Sequence, residues 1–183
     1  FDEHIDSDTN RIMLVDWDND CIRTTLNLVL SFIENQIRDH VSMEVCETLL
    51  RKPYNQNRIK KIIGQGKGKL YGVRFDTSGQ LIDKSVDPWN ENVKGVSKEL
   101  VYKARAKFNE LGLHDLKIMV SGGFDEEKLK KFEDAPYDLV GIGSSIVNKF
   151  SVDFTADSVM TDNYHCSKVG RQKGDWSNLK LIM

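Results

Sequence analysis

KIMVSGGFDEEKLKKFEDAPYDLVGIGSS, Lys117–Ser145, is the stretch that decides the fold. Its first apolar run, Leu116–Val120, has strand length and ends in Ser121-Gly122-Gly123. A charged helical segment, Asp125–Phe132, comes next. A second apolar run, Tyr137–Val140, then ends in Gly141-Ile142-Gly143-Ser144-Ser145. The order is strand, glycine loop, helix, strand, glycine loop, and both loops leave the carboxyl ends of strands. Glycine lets backbone N–H groups approach a ligand closely, and helix N-termini favour anions. Two such loops in succession point to a phosphate-bearing substrate at the top of a parallel α/β sheet or barrel.

The same grammar extends upstream. Arg11–Val15 is a short apolar run ending at Asp16, and Asp18 or Asn19 is placed to cap a helix. Ile22, Leu26, Val29, Leu30, Ile33 and Ile37 recur in that helix at helical spacing. From Asp39 to Lys69 the pattern is ambiguous, with Pro53–Asn57 and Gly64–Gly68 reading as loop. Lys69–Phe75 is the next strand, closing on Asp76-Thr77-Ser78-Gly79. Ser97 caps a helix carrying Leu100, Val101, Ala104 and Phe108, which stops at Gly112.

The resulting order, βαβαβαβ, argues for parallel strands with right-handed crossovers. Four such units make about half of an eight-stranded barrel. The fold class expected is therefore α/β, with a partial parallel β/α barrel over residues 1–150. In residues 151–183 the character changes: DFTADSVMTDNYHCSKVGR alternates more, and Asp162-Asn163 suits the turn of an antiparallel hairpin lying outside the barrel. A half barrel leaves two parallel edges open, a liability unless something covers them.

Composition narrows the class of function. Hydrophobic content of 39% and charged content of 30% are ordinary for a soluble globular chain. The net charge of −2 provides no electrostatic reason to expect nucleic acid as a partner. No apolar run approaches the roughly 20 residues of a membrane-spanning helix, and the N-terminal residues lack a signal-peptide pattern. Cys21, Cys46 and Cys166 are widely spaced and suggest neither a disulfide framework nor a C-x-x-C metal site, which fits a reducing cytoplasm. Phe1-Asp2-Glu3-His4 reads like the middle of a longer chain.

The strand ends present Asp16, then Arg74 and Asp76, then Ser121-Gly122-Gly123, then Gly143-Ser144-Ser145. In a parallel barrel all of these lie on the ligand-binding face. One fixed cation, two carboxylates and two glycine loops suit a sugar phosphate: N–H donors for phosphate, carboxylates for ribose hydroxyls or Mg²⁺, arginine for an anionic group. No Ser/His/Asp or Cys/His nucleophilic set is apparent. Plainer readings stand beside these. A glycine after a strand is often only a turn, Arg74 and Asp76 share a strand face and can simply pair, and Asp16 can be a cap. His165-Cys166 reads as a hairpin tip rather than half a metal site, and Arg58–Lys61 as a solvated helix face.

Several segments, taken together, resemble a known family. GVRFDTSG (Gly72–Gly79), SGGF (Ser121–Phe124), GIGSS (Gly141–Ser145), DFTAD (Asp153–Asp157), FDEH at the start, LVDWDND (Leu14–Asp20) and KVGR (Lys168–Arg171) are similar, in order, to nicotinate phosphoribosyltransferase. The resemblance implies the C-terminal half of a type II phosphoribosyltransferase barrel. It also implies the joining of nicotinate to phosphoribosyl pyrophosphate, giving nicotinate mononucleotide and pyrophosphate with ATP hydrolysis and Mg²⁺. Carried over by position, Arg74 would face the pyridine ring and its carboxylate, and Asp76 the base and ribose. Asp16 would approach the ribose or metal-bound pyrophosphate; with Arg74 and Asp76 it makes up the expected catalytic set. Ser121, Gly122 and Gly123 would line ribose and phosphate, and Gly143, Ser144 and Ser145 would cradle the 5′-phosphate.

The family's stacking aromatic residue and its phosphorylated histidine have no counterpart in a matching motif. Its dimeric site further implies a homodimer, or association with an N-terminal half. The alternative is a truncated, non-catalytic protein that binds phosphoribosyl nucleotides.

Overall fold

The computed structural model describes residues 4–35, 41–90, 93–147 and 157–171. Strands β1 (Ile12–Leu14), β2 (Gly72–Phe75), β3 (Lys117–Val120) and β4 (Leu139–Val140) form a parallel sheet in chain order. Helices α1 (Cys21–Glu34), α2 (Met43–Leu50) and α3 (Pro53–Ile62) connect β1 to β2. Helix α4 (Lys98–Glu110) connects β2 to β3, α5 (Glu126–Lys131) connects β3 to β4, and α6 (Ser144–Val147) follows β4. The expected βαβαβαβ succession is present, each strand being shorter than its apolar run.

Parallel strands joined in order by crossovers of one hand carry their helices on one face. The two sheet faces differ accordingly. The register sets Leu14, Arg74, Met119 and Leu139 in one row across the sheet. Leu14 is exposed and the other three are half-buried. Val73, Phe75, Ile118 and Val120, on the alternate positions, are fully buried and share one core with Leu26 and Leu30 of α1 and Leu100, Ala104 and Phe108 of α4. A parallel sheet covered on both faces would instead read as continuous apolar runs.

Local chemistry sets the element ends, and it corrects three expectations. Asp20, not Asp18 or Asn19, caps α1 by accepting from the Arg23 N–H at 3.2 Å. Asn19 sits in the left-handed region at φ +54, and Asp18 pairs with Arg23 at 3.1 Å. Helix α1 ends at Glu34, with Asn35 as its left-handed cap, short of Ile37. Pro53–Asn57, expected as loop, opens α3, because proline at a helix start lacks only an N–H that has no intrahelical partner there. Ser97 caps α4 as its position implied.

Strand β4 has two residues, and a partly exposed polar network at the sheet edge fastens it. The Arg105 guanidinium of α4 donates to the carbonyls of Leu116 at 3.0 Å and Pro136 at 3.3 Å, and to the Asp138 carboxylate. Asp138 also accepts from the Ile118 N–H at 2.8 Å and from Lys117 Nζ at 3.2 Å.

Farther on, β5 (Met160–Thr161) and β6 (Tyr164–His165) make the expected antiparallel hairpin. Asp162 and Asn163 both have positive φ, as a two-residue type I′ turn requires. His165 therefore lies on the returning strand rather than at the tip. The segment after the hairpin does not stay apart from the sheet: the Val169 N–H donates to the Trp17 carbonyl at 3.1 Å. The division at residues 150/151, Asp153–Ala156 of the DFTAD motif, Phe1–Glu3 and His40 lie outside the described residues. Among the described residues no helix is long and apolar enough to cross a membrane.

Candidate functional site at the strand ends

The loops after β2, β3 and β4 converge on a cavity of about 300 Å³. Arg74, Asp76, Ser121, Gly122, Gly123 and Gly143, all singled out in the sequence, line it with Met119, Phe124, Gly141 and Ile142. Strand parity explains the wall: Met119 is the register partner of Arg74 and points to the same sheet face. Parity within KIMVS is the signal that identifies Met119, which the charge-based reading passed over.

The polar groups around this space are unevenly engaged. Arg74 reaches Asp76 at 3.6 Å, too long for a hydrogen bond, and its buried Nε has no acceptor. With the two side chains 40% and 31% exposed, this pair contributes little stability and leaves the guanidinium with donors for an anion. Gly122 and Gly123 sit at φ +91 and +65, a conformation that side chains disfavour. Among the described residues, the N–H groups of Gly122, Gly123 and Gly143 donate to no protein acceptor.

The hydroxyls behave differently from the amides. Ser121 Oγ donates back to the Phe75 carbonyl at 3.1 Å, so it braces the β3 end. Ser145 Oγ donates to the Phe124 carbonyl at 2.7 Å and ties the second glycine loop to the first. Ser144 begins α6. The Ser121 and Ser145 hydroxyls thus hold the glycine loops to each other and to the end of β2.

Asp16 is not part of this cavity. It lies in the neighbouring narrow cleft, with its side chain 3% exposed and held by Lys168 Nζ at 2.6 Å. Its Oδ1 is buried without a hydrogen-bond partner. Lys168 arrives on the segment after the hairpin, which Val169 fastens to Trp17. Asp16 is therefore neither a helix cap nor a neighbour of Arg74 and Asp76 in one pocket. Lys168 was visible beforehand only within the KVGR segment, with nothing to link it to a carboxylate so far away in the chain.

Lys128 is a further residue that sequence reasoning missed, since it stood only as one charge within the charged helical segment Asp125–Phe132. Its Nζ donates to the Gly122 carbonyl at 2.8 Å. Burial pulls its pKa down, against an opposing effect of Asp125.

The donor set accommodates the implied Mg²⁺ in one manner only. No group of three or more His, Cys, Asp or Glu side chains converges among the described residues. Asp76 supplies one carboxylate at the cavity, and Mg²⁺ commonly binds through one or two carboxylates plus substrate phosphates. Among the described residues no histidine lines this cavity. No protein-family model matches the sequence.

Proposed function

We propose that this chain is the C-terminal half of a nicotinate phosphoribosyltransferase, and that its four-stranded sheet is half of a parallel β/α barrel. The observation that carries the reading is that Arg74 and Asp76 line one cavity of about 300 Å³ together with Gly122, Gly123 and Gly143, whose N–H groups have no protein acceptor among the described residues. That volume is at the small end of the range for small-molecule sites. In-order parallel strands, with one buried face and the half-bare row Leu14–Arg74–Met119–Leu139, support the barrel. The ordered motifs support the family.

In this reading the nicotinate ring nitrogen attacks C1 of phosphoribosyl pyrophosphate. The C1–O bond breaks, and its electron pair leaves on pyrophosphate. Such a reaction needs alignment and charge stabilisation more than a side-chain nucleophile. Arg74 holds the carboxylate of nicotinate, the amides of Gly122, Gly123 and Gly143 receive phosphate oxygens, and Asp76 orients the ribose hydroxyls. A Mg²⁺ held between Asp76 and the ligand would neutralise the departing pyrophosphate. Asp16, already neutralised by Lys168, acts from the neighbouring cleft by shaping the end of β1.

Calorimetric titration of the 183-residue chain with nicotinate mononucleotide tests the reading. Binding is expected, weakened by about 10- to 100-fold in Arg74→Ala, the value of a charge-assisted hydrogen bond. Absence of binding to the folded chain overturns it. The competing reading is a truncated, non-catalytic protein that binds phosphoribosyl nucleotides through the two glycine loops. It gains the upper hand if the chain binds the nucleotide yet yields no product when supplied with an N-terminal half, nicotinate and phosphoribosyl pyrophosphate.

A further inference from the structure

The loop between β3 and α5 is closed by a single lysine at two points. The Lys128 backbone N–H donates to Asp125 Oδ1 at 2.8 Å, the capping bond of α5. Its side chain turns back over the loop, and Nζ donates to the Gly122 carbonyl at 2.8 Å. The ammonium also stands 4.4 Å from the centroid of the Phe124 ring and 5.8 Å from that of Phe132. Those rings meet edge to face, with centroids 5.0 Å apart, so the cation has a firm aromatic seat. This is a specific placement: Lys130, on the same short helix, is exposed and, among the described residues, pairs only with Glu126 at 2.8 Å.

The carbonyl that Lys128 holds belongs to the same peptide group as the Gly123 N–H. A cation bonded to a peptide oxygen draws electron density from the whole amide, and the N–H becomes a stronger donor. It also fixes which way the peptide plane faces. Here that matters, because both glycines have positive φ and, lacking side chains, have little else to hold their orientation. Gly123 lines the cavity and its N–H has no protein acceptor among the described residues, while Gly122 packs so closely on Asp76 that an added Cβ would lie 3.2 Å from Oδ1.

We propose that Lys128 is a positioning residue: by holding the Gly122 carbonyl it orients and polarises the Gly123 N–H for an anionic group of the ligand, and it does so without touching that ligand. The inference rests on the phosphate-binding reading of the cavity. The pKa of Lys128 is lowered, mainly by burial.

The test pairs a measurement without ligand with one that uses it. Lys128→Met keeps an apolar stem over the two rings and removes the charge, Lys128→Arg restores the charge, and Lys130→Met serves as the control. Amide resonances of Gly122 and Gly123 are followed by NMR in the ligand-free chain, and nicotinate mononucleotide affinity is measured by calorimetry. In Lys128→Met the Gly123 amide proton should move upfield, and affinity should fall by about tenfold, the effect of one charge-assisted hydrogen bond. Lys128→Arg should recover most of both changes, and Lys130→Met should alter neither.

A Gly123 resonance unmoved in Lys128→Met overturns the inference, whatever the ligand does. A resonance that moves while affinity stays at the wild-type value also overturns it. A resonance that moves in a chain that binds no nucleotide overturns the cavity reading, and the ligand role of Lys128 with it.

Discussion

Replacing Gly122 with alanine places two costs on one methyl group. At φ +91 the residue lies beyond the small left-handed well that L-residues tolerate, and a left-handed conformation costs a side-chain-bearing residue about 1–2 kcal/mol. The new Cβ would also stand 3.2 Å from Asp76 Oδ1, tighter than an ordinary contact. Asp76 is 31% exposed and can yield by a few tenths of an ångström, so this contact adds little to the stability loss. It does move the carboxylate that faces Arg74.

The expected total for Gly122→Ala is about 2 kcal/mol, and for a chain of this size that lowers Tm by about 4–8 °C. Urea denaturation followed by far-UV circular dichroism measures the stability, and titration with nicotinate mononucleotide measures the site. Gly79→Ala is the control. Gly79 does not have positive φ and an added Cβ meets nothing within 4 Å, so its effect should stay within about 0.5 kcal/mol. If Gly122→Ala is as stable as wild type and binds equally well, or if Gly79→Ala costs as much, the reasoning from loop geometry is wrong.

Three further outcomes follow from the packing. Burial raises the Asp138 pKa, but the Ile118 N–H, Lys117 and Arg105 outweigh it and hold the carboxyl below its ordinary value. Its stabilisation is therefore present above the unfolded carboxyl pKa of about 3.9 and is lost as pH falls through the lower folded value. Asp138→Ala should cost about 1–2 kcal/mol at neutral pH, reduced by partial water access, and the difference from wild type should shrink in acid; a constant difference in pH-dependent melts would contradict this.

Lys168→Met leaves the Asp16 carboxylate buried without its counter-ion and should destabilise the fold by about 2–3 kcal/mol. Adding Asp16→Asn should recover part of that loss, and strictly additive losses in the double-mutant cycle would show that the pair is not coupled. A thiol reagent should modify exposed Cys166 rapidly. Buried Cys46 should be slow, as should Cys21, whose thiol pKa is pushed up by burial and then by Asp83; rapid modification of Cys21 in the native chain would refute its burial.

Legibility in the sequence followed the range of the interaction. Strand order and the convergence of the glycine loops were readable, because an apolar run, a glycine pair and a capping residue are properties of neighbours in the chain. Ser97 as a cap and the Asp162-Asn163 turn were legible for the same reason. Pro53 misled because one φ value serves both a loop and the first turn of a helix, and only packing of buried Asn55 and Ile59 decides between them. The sheet's single dry face was implied by the strand order but needed the register to name Leu14, Arg74, Met119 and Leu139 as the half-bare row.

The sequence by itself determined a parallel α/β sheet, with Arg74, Asp76 and two glycine loops at its carboxyl edge. Hydrophobic period, glycine position and strand parity are local and survive in one dimension. Only the tertiary structure decided which members of that set share a space. It took Asp16 out of the cavity by bringing Lys168 to it, turned Ser121 and Ser145 into braces, and put Lys128 behind the Gly122–Gly123 peptide. Each of those choices is a short-range electrostatic contact, and a contact of that kind exists only once folding has brought its two ends to within a few ångströms.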